Sequence, residues 1–267
     1  VADVMDRLGT TYPWSGVAPT LKAADIAFGN LECSISTRGT AIAGKEYTFR
    51  GSPARLAEIV RYAGLDVLNL ANNHVGDYGP AALADTIRAV RRSGALAVGA
   101  GDDAADAAAP RIVTRLGLRV AFVGFSDINP AGFGAGPSSP GTQFATPEAI
   151  AASVRAARRR ADVVVATFHW GIEREPREDA RQRAFAGAAL AAGASAVIGG
   201  HPHVLQPIRP AGAHGLVAYS LGNFVWSAGS AASASTGILH VRLSTRGVER
   251  HRLQRATIVG SRPQLLG

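Results

Sequence analysis

At 267 residues, with 47% hydrophobic and 18% charged residues, the chain is long enough to bury a large core and too apolar to be disordered. It has no apolar stretch of the roughly 18–20 residues that spans a bilayer, and a single cysteine, Cys33, excludes an internal disulfide. The net charge of +8 comes from arginine, with lysine nearly absent. Such charge either solvates helix faces such as "VRAARRRAD" or attracts acidic polymers, phosphates or nucleic acid. No basic stretch is interleaved with aromatics, so no nucleic acid is expected as a partner.

The start, "VADVMDRLGTTYPW", has no signal-peptide pattern and reads as a short helix, leaving the compartment undefined. Strands are predicted at 24–30, 66–71, 118–125, 162–168, 195–199 and 216–220, where apolar and β-branched residues run together. Helices are predicted at 54–63, 80–93, 146–160 and 178–193, each opening near Pro, Ser, Thr or an acid. Strand–helix alternation of this kind indicates an α/β fold in one domain over 1–267. Between strand and helix, "NPAGFGAGPSSPGTQ" (129–143) is expected to loop over a site rather than link domains. The terminal "GILHVRLSTRGVERHRLQRATIVG" breaks the alternation and predicts a hairpin with an arginine-rich outer face.

Four of these strands deliver polar side chains at the same, carboxyl end, where α/β folds place ligands. Strand 24–30 runs into Asn30 and Glu32, and strand 66–71 into Asn72, Asn73 and His74. Strand 162–168 runs into His169, and strand 195–199 into "GGHPHV" with His201 and His203. Any one of these is an ordinary polar turn; four at one end converge on a site. Imidazole, amide oxygen and carboxylate together suit Mn, Fe, Zn or Ni rather than calcium. Two such ions about 3.5–4 Å apart activate water and neutralise charge on a phosphoryl or acyl oxygen.

In order along the chain, "NLE", "KEYTFRGSP", "NNH", "HWGIEREP", "GGHPHV" and "YSLGNFVW" resemble the bacterial capsule-synthesis CapA (poly-γ-glutamate) family, related to the calcineurin-like metallophosphoesterases. The resemblance implies a four-layer αββα sandwich of two mixed β-sheets flanked by helices. It implies that Glu32 bridges two divalent metals, that Asn73, His169 and His201 bind one, and that His203 binds the other. It makes His74 the catalytic acid or oxyanion stabiliser rather than a ligand. The same division follows if Asn73 and His74 continue an extended strand, whose adjacent side chains point oppositely. The family also has a Gly-Asp motif ending an opening strand. Asp3 is a candidate here, on what reads as a helix, so the opening strand is expected to be missing from this chain, whether cut away or absent from the protein, and one or two metals are expected.

Around these, Tyr47 and Arg50 either contact an anionic substrate or hold a loop. Glu173 orients a ligand histidine, carries a proton, or makes a surface ion pair. Asn72 is expected to bond backbone, Asn223 to hold a loop beside the metals, and Asp77 either to bond a histidine or to make the turn with Gly76 and Gly79. Cys33 is expected to be a small core residue, and His214, His240 and His251 surface residues. The function implied is metal-dependent phosphoester or amide chemistry on an anionic polymer, peptide or phosphoester, with membrane-bound capsule-synthase partners. The alternatives are peptide epimerisation by proton abstraction and a non-catalytic accessory subunit of a capsule synthase.

Overall fold

The computed structural model describes residues 1–266. Two parallel-rich sheets face each other. The smaller holds strands Phe28–Asn30, Val67–Asn69 and Leu96–Val98 in that order, all parallel. The larger has six strands ordered Ile208–Ala211, Gly215–Ala218, Ala196–Gly200, Val163–His169, Leu118–Ser126, Arg111–Arg115, with both edge strands antiparallel. Helices Pro53–Ala63 and Pro80–Ser93 cover the smaller sheet, placing Leu56, Val60, Leu83 and Ile87 on Leu68 and Leu70. Helices Pro147–Arg158 and Ala180–Ala191 cover the larger, with Ile150, Val154 and Phe185 against Val123, Phe125 and Phe168. Val67, Val98, Val120, Phe122, Val163 and Val165 fill the layer between the sheets. The architecture is the expected four-layer αββα sandwich.

The strands predicted at 66–71, 118–125, 162–168, 195–199 and 216–220 appear within two residues of their predicted ends, because central strands covered on both faces read as continuous β-branched runs. The one predicted at 24–30 begins only at Phe28, residues 24–26 forming a bend. The strands absent from the prediction are short or polar. Leu96–Val98 has three residues, Arg111–Arg115 is framed by arginines, and Ile208–Ala211 contains Pro210, which an edge strand tolerates. The C-terminal segment is a three-stranded antiparallel sheet, Ser235–Ser244, Gly247–Val259 and Arg262–Leu265, rather than a lone hairpin. Its Leu239, Val241, Leu243 and Val248 join the layer between the sheets. The loop 129–143 buries Phe133 against Gly76, in the turn that follows His74.

Beside the central strand end, Trp170 is fully buried, stacks on Phe168 at 4.4 Å and donates from Nε1 to the Tyr219 carbonyl at 2.9 Å. A Cβ at position 199 would lie 2.2 Å from both Trp170 Nε1 and the Tyr219 oxygen, so only glycine fits beneath that bond. Trp170 thus anchors the residue that follows His169. Trp170→Ala is expected to cost about 3–5 kcal/mol of stability, measured as a lowered midpoint in urea unfolding.

Candidate metal centre

Both sheets aim the carboxyl ends of their strands at one spot. From the smaller sheet, Asn30 pairs with Asn69 in register, so Glu32 and the segment 72–74 leave side by side. From the larger, His169 pairs with Gly200, so His201 and His203 emerge next to it. His201 (φ 100°) and His203 (φ 58°) hold positive backbone angles that glycine or asparagine adopts far more readily. Backbone strain of this kind persists where surrounding structure imposes it, and it clusters at functional sites.

Four side chains meet at His169 Nε2. Asn73 Oδ1 lies 2.7 Å away, His201 Nδ1 3.1 Å and Glu32 Oε1 3.4 Å. Glu32 Oε1 is also 3.8 Å from His203 Nε2, which sets that one oxygen between two imidazoles. It is buried without a hydrogen-bond partner, while Oε2 accepts from Asn30 at 3.0 Å. One ring nitrogen has a single hydrogen-bonding function and cannot satisfy three neighbours at once. Convergent nitrogen and oxygen donors around an orphaned carboxylate oxygen are the ligand chemistry of a divalent cation, so these residues fit the group. Ligand atoms of Glu32, His169 and His201 lie within 4.8 Å of one another, as do those of Glu173, His201 and His203. His201 belongs to both sets, so the exposed Glu173 stands where it can complete a second position.

Burial, then the neighbouring Glu173, pushes the Glu32 carboxyl up to about 8. Burial, then the His203 ring, pulls His201 down to about 4, and burial with the adjacent rings holds His169 well below the usual imidazole range. His169 and His201 are therefore held as neutral rings beside a carboxyl that keeps its proton up to about pH 8 unless a cation displaces it. Cys33 is pushed up to about 12 by burial and by Glu32, leaving no thiolate for nucleophilic work.

His203 donates from Nδ1 to Asn223 Oδ1 at 2.8 Å, which fixes its tautomer and turns Nε2 toward Glu32. The Asn223 amide in turn donates to the carbonyls of His203 and Ser233. Trp226 stacks on His203 with centroids 5.6 Å apart, and Phe49 bridges Trp226 to His74 at 5.1 and 4.4 Å.

The strand before Asn73 stops at Asn69, and 72–74 is a bend rather than extended chain. This corrects the expectation that strand alternation separates the two side chains. Asn72 Oδ1 accepts from the His74 and Val75 amides at 3.0 Å, and its amide donates to the Leu31 carbonyl at 2.9 Å. That turn, capped by Asn72, parts Asn73 from His74. His74 lies 6% exposed with Nδ1 donating to Asp77 Oδ2 at 2.8 Å, so Nε2 keeps its lone pair. Asp77 is fully buried, accepts from the Phe49 amide at 2.7 Å and is paired with Lys45, which also donates to the Asn73 carbonyl.

Lys45 is the principal residue that sequence reasoning passed over. It lies inside the quoted "KEYTFRGSP" and is one of two lysines in a chain rich in arginine, which is the signal that marked it. Arg50 donates to the Arg38 and Gly39 carbonyls and stacks on Tyr78 at 3.7 Å, so it holds a loop. Tyr47 is 60% exposed, with Glu173 and Arg174 in electrostatic reach of its hydroxyl. Asp3 sits exposed in helix Ala2–Leu8 and takes no part in the cluster.

A sequence model of the family described as "Bacterial capsule synthesis protein PGA_cap" matches residues 2–228. The capsule biosynthesis protein CapA of Bacillus anthracis is 33% identical, over 92% of this chain and 61% of that protein. The PGA biosynthesis protein CapA of Bacillus subtilis strain 168 is 32% identical, over 94% of this chain and 66% of that protein. This chain therefore spans somewhat under two thirds of the length of these relatives. Among solved structures, a 5'-nucleotidase precursor from Thermus thermophilus superposes with a TM-score of 0.50 at 17% identity, over 82% of this chain and 43% of that one. That likeness concerns the fold.

Proposed function

Because the chain belongs to the bacterial capsule synthesis PGA_cap family, we propose that its strand-end cluster is a divalent-metal hydrolytic centre acting on an anionic polymer, with phosphoester or amide cleavage as its reaction. The observation that carries this reading is the buried, unpartnered Glu32 Oε1 set between His169 and His203. Glu32, Asn73, His169 and His201 would hold one ion, and Glu32 and His203, with Glu173, a second. A bound divalent ion supplies Lewis acidity to a phosphoryl or acyl oxygen.

The remaining work falls to the chain's own groups. Asp77 holds His74 in the tautomer whose Nε2 carries the lone pair; once protonated, that nitrogen donates to an oxyanion or gives its proton to the leaving atom. Lys45 balances the buried Asp77 charge, so the dyad does not import an uncompensated anion beside Glu32. Phe49 and Trp226 wall the His74–His203 side with aromatic rings. The two Bacillus relatives are named for capsule and PGA biosynthesis, and the chain's positive charge suits a polycarboxylate or phosphate substrate.

The test is chelator-stripped protein titrated with Mn²⁺ and Zn²⁺, with metal content and aryl-phosphate turnover read together. The expected result is one to two equivalents bound and turnover that needs them, with His203→Ala losing both about 10–100-fold or more. A stripped protein that takes up no metal would overturn the proposal.

A further inference from the structure

The outer face of the C-terminal sheet carries positive charge that neighbouring groups leave unbalanced. Leu239, Val241 and Leu243 enter the layer between the sheets, so alternation turns His240 and Arg242 to the opposite face. Register sets Arg250 directly across from Arg242, and Arg252 directly across from His240. Arg242, Arg250 and Arg252 are exposed. Among the described residues none of the three makes an ion pair, whereas Arg246 at the tip of the same hairpin takes up Glu249. Like charges directly opposite each other destabilise a sheet, and these side chains gain no burial in return.

The strand starts beside the metal centre. Asn223, which holds His203, accepts from the Thr236 hydroxyl and donates to the Ser233 carbonyl. From Thr236 the His240–Arg252 pair lies about 14 Å along the strand, and the Arg242–Arg250 pair about 20 Å.

We infer that this face is a binding surface for a linear polycarboxylate, which it grips several repeat units away from the bond being cleaved. Guanidinium forks bind carboxylates in a bidentate manner, and alternate strand positions repeat at about 7 Å, a spacing suited to carboxylates set regularly along an extended chain. Strand residues 235–244 and 247–258 contain no Phe, Tyr or Trp, so the face offers no base-stacking platform for single-stranded nucleic acid and no aromatic anchor for a lipid interface. The inference rests on the proposal that the centre serves an anionic polymer, and deepens it by giving the polymer a second, non-catalytic hold.

The experiment measures fluorescence anisotropy of labelled polyglutamate with the parent protein, the triple variant Arg242→Gln/Arg250→Gln/Arg252→Gln and the single reversal Arg250→Glu. The parent is expected to bind with an affinity that falls as salt is added. The triple variant should lose about tenfold or more, and the reversal should weaken binding while melting no lower than the parent, since it replaces a like-charge pair by an opposite one. Equal binding by parent and triple variant would overturn the inference. So would parent binding to single-stranded DNA or phosphatidylglycerol vesicles as tight as to the polycarboxylate. Aryl-phosphate turnover by the parent keeps the two proposals apart. Arginine-dependent polymer binding without turnover sinks the hydrolytic centre and keeps this surface; turnover without polymer binding does the reverse.

Discussion

Glu32→Gln is expected to make the metal-free protein more stable at pH 8 than the parent, and to abolish its stabilisation by divalent metal. In the folded chain, burial and Glu173 raise the Glu32 carboxyl from 4.5 to about 8. Between those values the native state holds a proton that the unfolded chain has released, so stability falls as pH rises through the window. The full loss is on the order of 5 kcal/mol, most of it reached by pH 8, at roughly 1.4 kcal/mol for each decade of proton affinity. The buried histidines act in the opposite sense on the acid side. His201 is held at about 4 against an ordinary 6.5, and His169 is also lowered, so the unfolded chain binds more protons below pH 6.5. Stability contributed by these rings is present above 6.5 and is lost as pH falls toward 4.

The metal-free protein should therefore be most stable near pH 6.5, with a decline on each side that Glu32→Gln removes on the alkaline side only. A bound cation reverses the alkaline decline in the parent, because it needs the carboxylate that burial otherwise disfavours. Glutamine keeps the shape and can still accept from Asn30, but brings no charge. Thermal melts from pH 5 to 9, with chelator or with Mn²⁺, read this directly. A parent that melts higher at pH 8.5 than at pH 6.5 in chelator would contradict it.

How far the sequence disclosed this site depended on where each group lies along the chain. Asn73, His169, His201 and His203 were legible because each interrupts or ends an apolar run, and polar residues at a strand's carboxyl end have few structural uses. Their mutual approach was not legible, since it depends on which strands neighbour one another in two separate sheets. The support around His74 was less visible still. Lys45 reaches Asp77 from 32 positions away, out of a loop between two short strands that carries no periodicity. Asn72 illustrates the limit within a single motif. Its bonding to backbone follows from its residue type, yet the same carbonyl oxygen turns the chain, so the parting of Asn73 and His74 has a different cause from strand alternation. The strands Leu96–Val98 and Arg111–Arg115, one in each sheet, escaped for a plainer reason, being too short or too charged to stand out from turns.

That turn gives the most discriminating expectation about catalysis. His74→Ala should lower kcat by about 10²–10⁴-fold while metal content stays at the parent's level, and Asn73→Ala should lose metal along with activity. The two residues are adjacent, so a general disturbance of the loop would move both readouts in both variants. Only a division between ligand and proton carrier separates them. The structure favours the division because His74 already spends Nδ1 on Asp77, while Asn73 Oδ1 points at His169 Nε2. Asp77→Asn should then fall between parent and His74→Ala, since an amide can still bond the ring but can present the wrong partner and leaves Lys45 charged without its counterion. Lys45→Met should cost more stability than Asp77→Asn, because it strands a fully buried carboxylate, a loss of about 3–5 kcal/mol for breaking such a pair. Metal analysis and single-turnover rates on the four variants decide the matter. If His74→Ala sheds metal in proportion to its lost activity, His74 is a ligand and the proton must come from elsewhere.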